Sequence, residues 1–272
     1  QMKAHWDEKA ICDFKGKEFT FSALAEKIER FHILFELCGV KKGDRIALCA
    51  KNSSSWAISF LSVNTSGATI VPILADFTPE SVNSLVDHSE SIALFTDTDI
   101  WKKLDITKMP NIRFVISVTD FSILYSKDET VKNAIAKVPE EFASKYPMGF
   151  TKDNISYPVK NGSDLALINY TSGTTSAPKG VMITFDAFSS NVEFAIDKIP
   201  LGAGNTMVSM LPMAHMYGMM FEFIYPLCSG ATIYYLGATP TPTLLLGAMK
   251  EVKPKLIITV PLVMEKIYKS SI

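Results

Sequence analysis

The sequence predicts an α/β fold with two mainly parallel sheets and flanking helices. Three observations carry this expectation. Short apolar runs alternate with helix-like segments along almost the whole chain. The intervening segments are long enough for the right-handed crossovers that join parallel strands. More than eight runs read as strands, which is many for one open sheet, so two sheets are expected.

The elements follow in order. After the strand "GKEFTF", Ser22 is placed to cap a helix through Leu37. Leu24, Ile28, Phe31 and Phe35 share one face of it, and Gly39 is its stop. "RIALCA" (45–50) reads as a buried strand, 54–65 as a helix ending at Gly67, and "TIVPIL" (69–74) as the next strand. Thr78-Pro79-Glu80 opens a helix, because proline fits the first helical position and the acid suits the dipole. "IALFTD" and "RFVISV" (113–118) are strands, followed by a helix near 128–145 whose charged run is a solvated face. Beyond a polar stretch (146–163), "LALINYT" (165–171) and "VMITF" (181–185) are strands. The remainder repeats the logic: strand "MVSML", helix near 218–228, strand "ATIYYL", helix 242–252, strand "KLIITV", helix 261–271.

Composition excludes several classes. The 272 residues are 47% hydrophobic and 20% charged, enough for a large core and unlike a disordered chain. A net charge of −1 gives no bulk attraction to nucleic acid or an anionic membrane. Cys12, Cys38, Cys49 and Cys228 form no CxxC pair, and the four histidines are scattered, so no metal cluster is read. Cys38 and Cys49 lie in apolar context and read as reduced core residues. The uncharged tract 223–249 is broken by Pro226, Pro240, Pro242 and glycines, so it is not a membrane span; peripheral membrane contact stays open. No secretory signal is seen, and the expected location is cytoplasmic. The Asn52, Asn64, Asn154, Asn161 and Asn169 sequons are then chance matches. The chain starts on Gln1 and stops on the amphipathic "PLVMEKIYKSSI", so a partial domain is expected.

Between "LALINYT" and "VMITF" lies a loop with an unusual inventory. Thr171, Ser172, Thr174, Thr175 and Ser176 offer hydroxyls. Gly173 and Gly180 let backbone N–H groups approach a ligand, Lys179 adds a cation, and Pro178 stiffens the approach to it. The set suits a triphosphate, although loops of this composition also serve as solvated connectors. It is not a Walker A loop, because the lysine precedes the glycine.

The residue order is more specific. T-S-G-T-T-x-x-P-K-G-V resembles the signature loop of the adenylate-forming superfamily: acyl-CoA synthetases, luciferases and peptide-synthetase adenylation domains. "FTFSALAEKI", "GVKKGDRIALCAKNSSSW", "SGATIVPI", "LPMAHMYGMM" and "VPLVMEKIY" resemble further family segments in the expected order, from near residue 8 to the end. Two departures stand out. Ser176 occupies a position that is usually glycine, and Phe185 one that is often histidine.

The resemblance implies that residues 1–272 are part of the large N-terminal domain of an acyl-CoA synthetase. It places residues 55–195 in a subdomain carrying the phosphate loop, and 1–54 plus 196–272 in one carrying the acyl pocket. The small C-terminal domain, the natural intramolecular partner, would lie beyond Ile272. In such enzymes a carboxylate attacks the α-phosphate of ATP, pyrophosphate leaves, and the thiol of CoA displaces AMP. By resemblance, Thr171, Ser172, Gly173, Thr174, Thr175, Ser176, Lys179 and Gly180 hold the phosphates, with Thr174 also near Mg2+. His215, Met216, Tyr217 and Gly218 line the acyl pocket; without the resemblance a lone histidine reads as an ordinary core or surface residue. "LPMAHMYG" has no aspartate to pair with an amino group, which favours a plain carboxylic acid, and by resemblance a medium- or long-chain fatty acid. Met207, Met210, Met213, Met216, Met219 and Met220 fit either an adaptable acyl tunnel or core filling. The metal-associated glutamate, the ribose aspartate and the adenylation lysine would lie past Ile272, so the chain alone is expected to be inactive. Two alternatives remain: an acyl-AMP ligase feeding a carrier protein, and a nucleotide-binding module without chemistry.

Overall fold

A computed structural model describes residues 1–158, 160–171 and 179–270, except for the side chains of 262, 266, 267 and 270. The strands are β1 (Lys9–Asp13), β2 (Glu18–Thr20), β3 (Arg45–Cys49), β4 (Thr69–Ile73), β5 (Ala93–Thr96), β6 (Phe114–Ser117), β7 (Ile123–Ser126), β8 (Leu165–Thr171), β9 (Lys179–Thr184), β10 (Thr206–Ser209) and β11 (Thr232–Tyr235). The helices are α1 (Phe21–Leu37), α2 (Ser54–Ser66), α3 (Pro79–His88), α4 (Thr98–Trp101), α5 (Glu129–Lys145), α6 (Phe185–Lys198), α7 (Met216–Met219), α8 (Tyr225–Cys228), α9 (Pro242–Val252) and α10 (Pro261–Ser270). A π-helical turn, Met220–Ile224, joins α7 to α8. Among the described residues no helix is long and apolar enough to cross a membrane.

The chain divides into two compact units. One comprises Gln1–Leu24, Lys51–Ala57 and Ser189–Ile272; the other comprises Ala25–Ala50 and Ile58–Phe188. Residues 25–50, which the sequence grouped with the His215 segment, belong to the second unit because β3 pairs with both β4 and β5.

The second unit holds a sheet in the order β7-β6-β5-β3-β4-β8-β9. Its middle strands are parallel, and the edge strands β7 and β9 are antiparallel to their neighbours. The side chains of β4, β5 and β6 are buried throughout, as expected where a parallel sheet is covered on both faces. Val82, Leu85 and Val86 of α3 pack into the same core as Ala47, Val71, Leu94 and Val115. Thr78 caps α3 as expected, accepting from Ser81 N at 3.3 Å. At α1 the cap is Thr20 rather than Ser22: Thr20 Oγ1 accepts from Ala23 N at 3.1 Å, and Ser22 Oγ bonds to Thr20 Oγ1. The helix therefore starts at Phe21. Lys145 Nζ and Tyr146 Oη both donate to Glu29 Oε1, at 2.8 and 2.7 Å, fastening the end of α5 to α1.

The first unit holds a sheet in the order β10-β11-β1-β2. β10, β11 and β1 are parallel, and β2 returns antiparallel to β1. "KLIITV" is not a strand; it makes a single parallel bridge, Met207 with Leu256. Lys255 N donates to Thr206 O at 2.9 Å, but the run does not continue as a ladder along β10 before Pro261 opens α10. Met207, Met210, Met213, Met219 and Met220 are buried, and Met207 and Met210 belong to the apolar core under α9.

Candidate functional site

The two segments singled out by the sequence lie one in each unit. In the second unit the loop is the connection of an antiparallel hairpin. Thr171 pairs with Lys179 and Tyr170 with Gly180. Lys179, Gly180 and Thr171 thus meet at the mouth of the hairpin. Ser172, Gly173, Thr174, Thr175 and Ser176 lie outside the described residues. A Cβ on Gly180 would sit 3.0 Å from Ile168 Cγ2 and 3.3 Å from the Tyr170 ring. Glycine therefore leaves room for that ring beside β9. Tyr170 Oη hydrogen-bonds His88 Nδ1 at 2.7 Å, and the rings meet edge-on. His88 thereby ties the end of α3 to the strand that leads into the loop. Lys179 and Thr171 are exposed.

In the first unit, His215, Met216, Tyr217 and Gly218 form the turn that opens α7. His215 is the N-cap: its Nδ1 accepts from Tyr217 N at 3.2 Å. A neutral ring in this role keeps its hydrogen on Nε2. His215 and Tyr217 are exposed, Met216 is half-buried, and Gly218 is buried.

The backbone of this loop has partners at successive positions. Asn52 Nδ2 donates to Leu211 O at 2.6 Å, and Asn52 Oδ1 accepts from Met213 N at 2.9 Å. His215 N donates to Pro212 O at 3.0 Å. On the inner side Glu222 Oε2 accepts from Met210 N at 2.8 Å, Leu211 N at 2.7 Å and Ser209 Oγ at 3.2 Å. Asn52 had read only as a chance sequon. Glu222 belongs to no sequence motif, and it is the sole Asp, Glu, Lys or Arg between Lys198 and Lys250.

Glu222 is fully buried, and among the described residues its Oε1 has no hydrogen-bond partner. Burial pushes its carboxyl up to about 8, against the lowering pull of its three donors. The folded protein thus retains a proton that the unfolded chain releases near 4.5. The stability tied to this group is complete below that value and is lost as pH rises to about 8, at about 1.4 kcal/mol per pH unit. Urea unfolding of Glu222→Gln against the native chain across this window should show a flatter profile for the variant.

Ser209, Tyr235 and Asp13 stand in one row, each the last residue of its parallel strand. Asp13 accepts from Ser54 N at 2.7 Å and Ser54 Oγ at 2.8 Å, at the start of α2. Tyr235 Oη is buried without a hydrogen-bond partner, and burial, then Asp13, holds it well above the usual phenol range. A polar row thus closes the carboxyl ends of β10, β11 and β1, where ligands of open α/β sheets gather. Cys12, Cys38 and Cys49 are buried free thiols; burial raises them to about 11, 11 and 12, so they are unreactive near neutrality. Among the described residues no group of three or more His, Cys, Asp or Glu is placed to hold a metal ion.

Known proteins are similar to this chain in sequence and in fold. The long-chain-fatty-acid–[acyl-carrier-protein] ligase AEE15 of Arabidopsis thaliana is 27% identical over 265 residues, covering 92% of this chain and 35% of that protein. Long chain acyl-CoA synthetase 5 of the same plant is 25% identical over 236 residues, covering 85% and 35%. The chain thus spans about a third of the length of these relatives. The solved structure of ATP-bound MatB from Rhodopseudomonas palustris superposes with a TM-score of 0.76 at 19% identity, covering 96% of this chain and 48% of that one. The likeness confirms the fold of two parallel-rich sheets with flanking helices. The family described as AMP-binding enzyme matches residues 1–271, and with the hairpin loop and the histidine-capped turn in their expected order, the chain belongs to that family.

Proposed function

We propose that the full-length protein activates a carboxylic acid, a medium- or long-chain fatty acid, with ATP and passes the acyl group to the thiol of CoA. The observation that carries this reading is the T-S-G-T-T-S-A-P-K-G segment strung between the paired ends of β8 and β9. In the first step a carboxylate oxygen bonds to the α-phosphorus, the bond to the β-phosphate oxygen breaks, and pyrophosphate leaves. This chemistry needs positioning and charge stabilisation more than a protein nucleophile. Lys179 supplies the cation to the departing pyrophosphate, and the hydroxyls of 171–176 supply donors. In the other unit the Nε2–H of His215 is the donor offered to the acid, with Met216, Tyr217 and Gly218 beside it. No acid lies in 212–219 to hold an ammonium group, which fits an unsubstituted acid.

The relatives' names support fatty acids and divide over the acceptor: one is a carrier-protein ligase, the other an acyl-CoA synthetase. The test is ATP–pyrophosphate exchange by the full-length protein with a panel of acids of rising chain length, followed by thioester formation with CoA or with acyl-carrier protein. Exchange dependent on the longer acids is expected, with CoA as acceptor. Absence of exchange with every acid would leave a nucleotide-binding module, and transfer to the carrier protein alone would change the acceptor. A fragment limited to residues 1–272 is expected to show no exchange.

A further inference from the structure

Three features of the first unit converge on one carboxyl. Glu222 is the lone Asp, Glu, Lys or Arg of a 51-residue stretch and is completely buried. It sits in the π-helical turn Met220–Ile224, a local widening that recurs where a side chain must be re-aimed. One oxygen, Oε2, gathers the N–H of Met210, the N–H of Leu211 and the hydroxyl of Ser209. These are the donors at which β10 ends and the His215 turn begins. A buried backbone N–H without an acceptor is costly, so the path of residues 210–215 depends on this oxygen.

We infer that Glu222 is a positioning residue for the acid-binding turn, fixing the loop that presents His215 by accepting its first two backbone donors. The inference rests on the acyl-pocket reading of His215. The accepting oxygen is what matters: among the described residues Oε1 has no hydrogen-bond partner, and the buried carboxyl holds its proton at neutral pH. Glutamine therefore substitutes well, since its carbonyl keeps the three donors. Leucine does not. The three donors would bind a carboxylate more strongly still, but burial outweighs them and keeps the group protonated. Around it stand Tyr235 on β11 and, beyond that, Asp13 and Cys12 on β1. Burial holds Cys12 at about 11 and Tyr235 higher than its usual range, so neither titrates with Glu222.

The experiment uses the full-length protein and its Glu222→Leu and Glu222→Gln variants in two arms. Amide hydrogen exchange at Met210 and Leu211 needs no activity. Protection should be kept by Glu222→Gln and lost by Glu222→Leu. In the exchange assay Glu222→Leu should raise the KM for the acid about tenfold, the scale of one lost hydrogen bond to a buried group, with the KM for ATP unchanged. General destabilisation would lower kcat and leave both KM values alone. Unchanged protection in Glu222→Leu, or lost protection in Glu222→Gln, overturns the inference. Should Glu222→Leu not fold, the glutamine comparison decides alone. A native protein without acid-dependent exchange refutes the reading of the reaction instead, and the amide arm still tests the clamp.

Discussion

Lys179→Ala should lower acid-dependent ATP–pyrophosphate exchange by the full-length protein about 100-fold, the usual loss when one charge-stabilising donor leaves a reacting centre. The physical case begins with the hairpin. Lys179 is the first residue of β9 and pairs with Thr171, so its backbone is anchored while its side chain stays exposed. Nothing in the core depends on it. The melting temperature should match that of the native protein, and the loss should fall mainly on kcat, because the charge on the leaving group grows in the transition state. Lys179→Arg should recover part of the rate, since it keeps the charge with a different reach. A decrease smaller than about threefold in Lys179→Ala would show that the loop does not grip pyrophosphate through this cation.

Gly218→Ala should destabilise the chain by about 3 kcal/mol, the upper end of the usual cost of overpacking. An added Cβ would stand 2.5 Å from Pro212 O and 3.1 Å from Pro212 C. Those are backbone atoms, and Pro212 O already accepts from His215 N. The turn cannot slide aside: Asn52 holds Leu211 and Met213 from one side, and Glu222 holds Met210 and Leu211 from the other. The single methyl should therefore cost both stability, read by urea unfolding, and affinity for the acid. A variant as stable as the native chain would mean that the 211–213 backbone is free to move.

The sequence conveyed most of the architecture and much less of the site. Strands such as 45–49 and 69–73 announce themselves because parallel strands buried on both faces become unbroken apolar runs. Thr78-Pro79-Glu80 announced its helix because capping chemistry is local. "KLIITV" misled because an apolar run resembles a strand whether or not a neighbour offers a full ladder. Thr20, not Ser22, caps α1; two hydroxyls two residues apart both satisfy the pattern, and only the backbone path chooses. The hairpin residues Lys179 and Gly180 and the turn around His215 were visible as ordered motifs. Asn52 and Glu222 were not. Their roles arise from partners 159 to 161 and 11 to 13 positions away in the chain, and such pairings carry no periodicity. A solitary charge in a long apolar tract was the available sign.

The π-helical turn at Met220–Ile224 makes chain length, rather than composition, the sensitive variable here. A turn of this kind holds one residue more than an α-helical turn, so the helical segments before and after it run out of phase. Deleting one residue from 220–224 would let the segment close as an ordinary α-helical turn, leaving Tyr225, whose hydroxyl reaches Ile199 O at 2.6 Å, and the buried Leu227 on their present faces. The residues of the turn itself would be re-aimed, and with them the Glu222 carboxyl that accepts from Met210 N and Leu211 N. Relatives one residue shorter here should therefore lack this carboxyl's contacts while keeping the rest of the helix in register.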